Sequence, residues 1–191
     1  MKSLFTLLSV SFFFFAIQNT SFCQTQINTI DSVKAAKLLD AFVGNWEGEA
    51  TAYFPRDKEK KNRKEKVFVT GKTILGGSYV ECNTNWTQSS GENRELNIYL
   101  NYDKKKNLVD ILFLYDDWPG KVTYPLGYDE KSRSLTGVDT FTTSKGVKGK
   151  ERVEWWISED HSIIVGREYN HYETDPEDYW PMSFEFEWRK K

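Results

Sequence analysis

The chain has 191 residues, of which 39% are hydrophobic, 16% aromatic and 28% charged, and its formal net charge is −2. This composition excludes a fibrous or wholly disordered protein, because such chains lack the apolar residues that build a core. The near-neutral charge argues against a nucleic-acid-binding protein, which normally carries a strongly basic face. One globular domain is expected, and a domain of this size buries roughly 70% of its unfolded surface without disulfides or metals.

The first 23 residues have the organisation of a secretory signal peptide. Lys2 is the only charge before an apolar run at residues 4–17, and a polar segment at residues 18–21 follows. An apolar run of this length is too short to cross a bilayer as a permanent helix. The chain is therefore predicted to be exported, to the periplasm or outside the cell, with no transmembrane segment in its mature part.

Cleavage between Cys23 and Gln24 is predicted to leave one domain at residues 24–191. Lipid attachment to Cys23 is the less favoured alternative, because Phe22 is bulky where a lipoprotein signal has a small residue. Cys82 is then the one remaining cysteine, which excludes an internal disulfide. In a strand-like run, a single cysteine is more often a small buried hydrophobe than a nucleophile.

A short helix is predicted ahead of a long series of strands. Asp31 or Ser32 can cap this helix, apolar side chains recur at helical spacing in the following positions, and Gly44 ends it. Beyond that glycine the hydrophobic period changes to two, which is typical of strands with one buried face. The ten predicted strands lie at residues 46–54, 66–74, 78–86, 96–102, 108–115, 121–128, 134–141, 151–158, 162–172 and 183–188.

The connections between these strands are short and carry turn chemistry, for example Gly76-Gly77 and Pro119-Gly120. No segment of crossover-helix length separates the strands, so a parallel sheet is excluded. A long antiparallel meander usually closes on itself, because closure removes unpaired strand edges. We therefore predict an all-β fold, a single antiparallel β-barrel of about ten strands preceded by the short N-terminal helix.

Residues at the first and the last predicted strand resemble a pattern found in a known family of barrels. Gly44, Asn45 and Trp46 form a Gly-x-Trp motif at the start of the first strand, and Arg189 lies at the end of the last. This arrangement resembles the lipocalin and wider calycin barrels, and the mature chain looks like the secreted lipocalin-like barrels of bacteria, most of them uncharacterised. The resemblance implies that Trp46 closes the barrel floor and that Arg189 packs across it. The second and third lipocalin segments are not recognisable, which disfavours retinoid and lipid ligands.

The resemblance also raises the question of an interior cavity. If Trp46 faces the interior, Gly48, Ala50 and Ala52 share its face, because side chains two apart lie on one side of a strand. Three small side chains either leave a cavity or pack against larger neighbours. A loop at residues 56–66 holds seven basic and three acidic residues. This loop is either simply solvated or, if it folds over the barrel mouth, favourable to an anionic ligand.

Motifs for several kinds of chemistry are missing from the sequence. Its two histidines, His161 and His171, show no His-x-x-x-His spacing, and no Cys-x-x-Cys occurs, so a metal site is not expected. Gly-x-Ser-x-Gly, P-loop and dinucleotide-binding glycine patterns are also absent, which disfavours serine hydrolysis, nucleotide hydrolysis and nicotinamide redox chemistry. No cofactor is expected, although either histidine could serve as an axial ligand to haem, as in some related barrels.

The ninth predicted strand carries the most informative set of polar residues. Arg167, Tyr169 and His171 are spaced two apart, so an unbroken strand projects all three to one face. The apolar residues Ile163 and Val165 continue that face and indicate that it begins inside the barrel. The opposite orientation would leave the triplet in solvent. It would turn a second set of side chains inward: Ile164, Gly166, Glu168 and Tyr172.

An inward triplet favours an exported, metal-independent lyase or dehydratase that acts on uronic-acid-containing oligosaccharides. Arg167 would neutralise the substrate carboxylate, while Tyr169 and His171 would exchange protons as acid and base during elimination. Aromatic rings at predicted turns and strand ends would bind the sugar rings. The candidates for this binding are Trp86, Trp118 and Trp180. The acidic segment at residues 173–181 is either a lid over such a site or an ordinary solvated loop.

Two alternatives from other functional classes stay open. One is a non-catalytic barrel that binds a small apolar or haem-like ligand. The other is an envelope barrel with a filled interior that contacts other proteins through its loops. The direction in which the ninth strand faces decides whether the enzyme hypothesis is tenable.

Overall fold

The computed structural model describes residues 28–116, 121–143 and 146–191. The predicted signal peptide and its cleavage site lie outside these ranges. Within them the chain forms helix α1 (Ser32–Ala41), a 3-10 turn (Leu75–Gly77) and ten strands. The strands are β1 (Gly44–Ala52), β2 (Arg63–Ile74), β3 (Tyr79–Gln88), β4 (Asn93–Asp103), β5 (Leu108–Tyr115), β6 (Lys121–Asp129), β7 (Ser134–Thr142), β8 (Lys148–Ile157), β9 (Ile163–Tyr172) and β10 (Met182–Lys190).

The ten strands close into one barrel. Each strand runs antiparallel to its neighbours in chain order, and β1 also pairs with β10. In that closing pair Trp46 lies opposite Lys190, and Ala52 lies opposite Phe184. The predicted all-β barrel of about ten strands with a short leading helix is therefore confirmed.

Helix α1 covers one end of the barrel, which we call the helix end. Asp31 caps the helix by accepting hydrogen bonds from the backbone amides of Val33 and Lys34, each 2.9 Å long. At the start of β1, Gly44 has a φ of 126°, a conformation that side chains rarely allow. No helix in the described ranges is long and apolar enough to cross a membrane.

Aromatic side chains fill the interior toward the helix end. Trp155 lies at their centre, with ring centroids 5.2 Å from Phe186, 5.6 Å from Phe42 and 5.9 Å from Trp188. Phe113 joins the cluster at 6.1 Å from Trp155, and all five rings are buried. Tilted and edge-to-face ring pairs of this kind add attraction beyond the burial of apolar area. This aromatic cluster is the densest part of the core.

The interior face of β1 follows its predicted phase. Trp46, Ala50 and Ala52 are buried, while Gly48 lets β1 approach β10 closely. A Cβ at position 48 would lie 1.8 Å from the carbonyl oxygen of Glu187. Cys82 on β3 is also buried, and burial raises the pKa of its thiol to about 12, as suits a core residue rather than a nucleophile.

The terminal arginine does not lie where the resemblance to lipocalins implied. Arg189 is on the outer face, where its Nη2 lies 2.6 Å from Oε1 of Glu187. Lys190 instead extends over Trp46, with Nζ 5.2 Å from the ring centroid. The expected packing of Arg189 is wrong because side chains alternate along β10. Trp188 faces the interior, so Lys190 lies on the same side of the strand and Arg189 on the outer side.

Candidate functional site

The barrel contains an interior cavity. Its volume is about 230 Å³, and it lies toward the end of the barrel opposite the helix, which we call the open end. Its apolar wall is mainly aromatic and includes Trp86, Phe113, Trp155, Phe184, Phe186 and Trp188. Its polar lining includes Arg63, Arg94, Glu151, Glu168, Asn170 and Ser183. Of the three small residues of β1, Ala52 lines it, at the end of the strand.

One wall of the cavity carries two carboxyl groups on neighbouring strands, Glu151 of β8 and Glu168 of β9. Burial, reinforced by the charge of Glu151, raises the pKa of Glu168 to about 8, and Arg94 opposes this rise. Burial also raises the pKa of Glu151, against a hydrogen bond that the Tyr124 hydroxyl donates to it. Near neutral pH the two carboxyl groups therefore retain at least one proton.

The opposite wall carries a buried ion cluster. The Glu65 side chain is fully buried and accepts hydrogen bonds from Nε of Arg63 at 2.7 Å and Nη2 of Arg94 at 2.9 Å. The Arg94 guanidinium also lies 5.3 Å from the ring centroid of Trp86. The cluster lies on β2 and β4, each four strands from β8 in the ten-stranded closed order, so it faces Glu151 across the cavity. Two arginines around one carboxylate leave this wall with one net positive charge.

Four polar side-chain atoms of residues that line the cavity are buried without a hydrogen-bond partner among the described residues. They are Nε of Arg94, Nε1 of Trp155, Nε1 of Trp188 and Oδ1 of Asn170. Buried polar atoms in folded proteins are nearly always hydrogen-bonded, since leaving one unpaired costs about 1–3 kcal/mol. Three donors and one acceptor thus lack a hydrogen-bond partner on residues that line a single cavity.

The triplet predicted on the ninth strand lies on the outer face of the barrel, so the expectation that it projects inward is wrong. Arg167 is exposed, and its Nε donates a hydrogen bond of 2.9 Å to Glu185. Tyr169 is absent from the cavity lining, and His171 stacks on Trp180 with ring centroids 5.0 Å apart. The three side chains share one face, as predicted, but that face does not meet the cavity.

The pairing of β9 with its neighbours sets this orientation. Gly166 lies opposite Phe186, and a Cβ at position 166 would come within 2.1 Å of the Phe186 ring. The glycine therefore faces inward beside that ring, and its phase carries Glu168 into the cavity. Ile163 and Val165, whose apolar character suggested the opposite, lie on the outer phase and are only partly buried.

The three tryptophans predicted to bind substrate have different locations. Trp86 lines the cavity, but it is buried and packs on Phe184 at 5.4 Å rather than standing exposed at the mouth. Trp180 lies on the outer face against His171. Trp118 lies outside the described residues.

The basic run at residues 56–66 and the acidic segment at residues 173–181 contact each other at the open end. Arg56 forms an ion pair with Asp175 and donates a hydrogen bond of 2.8 Å to the backbone carbonyl of Asn170. From Arg63 onward the basic run belongs to β2. Arg56 thus connects the two segments, and Asp175 compensates its charge.

Sequence reasoning missed the polar residues that line the cavity. Three of them lie on the same side of their strands as buried apolar residues: Glu65, Arg94 and Glu151. Glu168 was expected inside the barrel only if β9 had the opposite orientation. A charged residue on the apolar phase of a strand was the available signal. It was masked at Glu65 because the surrounding run of lysines and arginines looks like a loop.

Replacing Glu168 with glutamine is expected to change how stability depends on pH. The folded protein holds the Glu168 proton up to about pH 8, whereas the unfolded chain releases it near pH 4.5. Between these values the folded state binds more protons, so the free energy of unfolding of the wild type falls as pH rises. Glu168→Gln removes this loss and should gain about 1–3 kcal/mol over wild type at about pH 8.5, with little difference near pH 4.

Urea denaturation of both proteins at the two pH values measures this difference. Subtraction cancels the titration of groups away from the site, whereas the neighbouring Glu151 titrates differently once the Glu168 charge is removed. A difference between variant and wild type that does not change with pH would contradict the raised pKa of Glu168.

No protein-family description matches the sequence. No functionally curated protein matches it with significance either. The chemistry of the cavity is therefore the ground on which a function can be argued.

Proposed function

We propose that this protein binds a small molecule inside the barrel, one that combines an apolar or aromatic part with hydrogen-bonding groups. The observation that carries this proposal is an interior, largely aromatic cavity whose lining residues include four with an unpaired buried polar atom. Aromatic rings provide the apolar surface of the same cavity. A concave, mostly apolar pocket with a few convergent polar groups is the usual form of a small-molecule site.

The cavity volume limits the size of the ligand. A cavity of about 150 Å³ holds benzene, and pockets for drug-sized ligands measure about 300–1,000 Å³. The cavity of 230 Å³ therefore suits one ring with a short substituent. A haem-like macrocycle is larger than this space, and neither His161 nor His171 lines it.

The binding function replaces the lyase hypothesis as the preferred one. That hypothesis placed Arg167, Tyr169 and His171 around a substrate inside the barrel, and these side chains lie on the outer face. Elimination from uronate oligosaccharides stays a prediction without a supporting site. Export and membership of the lipocalin-like barrels also stay predictions, the latter supported by the closed barrel and the buried Trp46.

Binding should be visible in the fluorescence of the protein itself. Trp86, Trp155 and Trp188 line the cavity, so a ligand there changes their emission. We expect benzylamine, benzyl alcohol or benzoate to cause a saturable one-to-one change, with Kd between about 1 μM and 1 mM for ligands of this size. Incubation with uronate oligosaccharides should produce no new ultraviolet absorbance, which an unsaturated elimination product would show.

A cavity-filling variant makes this test specific. Ala52→Leu adds volume at the cavity wall and should weaken binding at least about tenfold, because close-packed interiors tolerate little extra volume. Glu49→Leu, on the exposed face of the same strand, should leave binding unchanged. The proposal fails if none of the three compounds binds, or if both leucine variants bind as wild type does.

A further inference from the structure

The charges on the inner faces of three consecutive strands have one sign. Asp139 on β7 lies directly opposite Glu151 on β8, and Glu151 lies opposite Asn170, two positions along from Glu168 on β9. These residues share the interior phase of their strands with buried apolar side chains. The result is a stripe of three carboxyl groups, the acidic wall, which reaches the cavity through Glu151 and Glu168.

The acidic wall has no salt-bridge partner in the described part of the chain, and Arg94 acts on Glu168 through its charge alone. No salt bridge there involves Asp139, Glu151 or Glu168. The nearest arginines of the cavity, Arg63 and Arg94, both bind Glu65 on the opposite wall. Buried carboxylates are normally paired with cations, because an unpaired charge in a low-dielectric interior is costly.

Aromatic rings stand beside the acidic wall within the same cavity. Phe113, Trp155 and Phe186 line it. The ring centroid of Phe113 lies 6.1 Å and that of Phe186 lies 5.2 Å from the ring centroid of Trp155. The electron-rich face of an aromatic ring attracts a cation, most strongly where water is excluded. Tyr124 adds a further ring and orients Glu151 through its hydroxyl.

We propose that the cavity selects a small organic cation, an ammonium group on a single-ring or short alkyl frame, with the ammonium on Glu168 and Glu151. This inference rests on the proposed binding function and names its ligand class. An ammonium ion provides N–H donors for the two carboxyl groups, while its apolar frame lies against Trp155 and Phe186. An anion at the same place would face two carboxyl groups and lose its own hydration, so it is disfavoured.

This ligand charge is opposite to the one that the basic run at residues 56–66 suggested. Within that run Arg56 pairs with Asp175, and Arg63 pairs with Glu65. Neither guanidinium is left unpaired to attract an anion into the cavity. The carboxyl groups of the acidic wall therefore set the preferred charge where the ammonium binds, while the Glu65 cluster keeps one net positive charge on the opposite wall.

Three isosteric probes separate the charge preference from binding itself. Benzylamine, benzyl alcohol and benzoate carry a positive, neutral and negative substituent on the same ring. By titration calorimetry, benzylamine should bind at least about tenfold more tightly than benzyl alcohol, with benzoate weakest. Benzylamine binding should release protons and strengthen from about pH 6 to about pH 8.5, because the cation replaces a proton on the carboxyl pair.

Variants assign the preference to the acidic wall. Glu168→Gln and Glu151→Gln should each weaken benzylamine binding about tenfold or more while leaving benzyl alcohol within about threefold, which also shows that each variant is folded. Glu154→Gln, on the partly exposed outer phase of β8, is the matched control and should bind all three probes as wild type does.

The possible outcomes distinguish this inference from the proposed function. Equal affinity for the three probes, or tightest binding of benzoate, overturns the cation preference and leaves the binding function intact. Benzylamine binding that is insensitive to both glutamine substitutions also overturns it. Failure of all three probes to bind is the failure of the proposed function itself.

Discussion

Trp155→Ala is expected to destabilise the barrel by about 3–5 kcal/mol, the usual cost of truncating a fully buried tryptophan. The physical reason is the position of Trp155, which packs between Phe42 at the end of the helix and Phe186 and Trp188 on β10. Truncation leaves a cavity continuous with the ligand site. The change should appear as a drop of roughly 6–20 °C in the midpoint of thermal unfolding for a domain of this size.

The neighbouring residue provides a matched control for this experiment. Trp156 lies on the outer face of the same strand and is 37% exposed, against 1% for Trp155. Trp156→Ala should therefore cost no more than about 1 kcal/mol. Equal losses in the two alanine variants would show that the aromatic cluster does not hold the barrel together.

Gly48→Ala should have a comparably large effect through a different cause. The added methyl carbon would lie 1.8 Å from the backbone oxygen of Glu187 and 3.0 Å from the Cα of Trp188. Since these are backbone atoms, β1 and β10 must separate at the seam that closes the barrel. We expect a loss of about 3 kcal/mol or more, at the upper end of the range for overpacked sites.

Two further variants check that the cause at Gly48 is steric. Glu49→Ala, on the exposed face of the same strand, should change stability by less than about 0.5 kcal/mol. Gly166→Ala should cost less than Gly48→Ala, because its added carbon meets the Phe186 ring, which can shift, instead of backbone. A Gly48→Ala variant as stable as wild type in urea denaturation would contradict this account of the barrel seam.

The local features of this protein follow from its sequence because short-range physics sets them. Asp31 caps the helix as expected, since a carboxylate ahead of an apolar helical pattern satisfies free backbone amides. The ten strands follow from a hydrophobic period of two, and their antiparallel order follows from connections too short for a crossover. The interior phase of β1 follows from Trp46, because one large apolar residue fixes the side on which its neighbours two apart lie.

The candidate site could not be predicted in the same way, since alternation gives each strand two faces without saying which is inside. On β9 both faces carry apolar and polar residues, so Ile163 and Val165 were as plausible inside as Ile164. Pairing with β8 and β10 decided between them, because Gly166 must face the Phe186 ring.

Alternation, capping and short connections are enough to predict an all-β chain with a capped helix and sufficient strands to close a barrel. Long-range pairing places Glu151 and Glu168 in a cavity with aromatic rings and leaves Arg167, Tyr169 and His171 outside. Strand pairing joins residues far apart in the chain, and closure fixes one register for the whole sheet. The chemistry of the interior is therefore a property of the closed barrel rather than of any one strand.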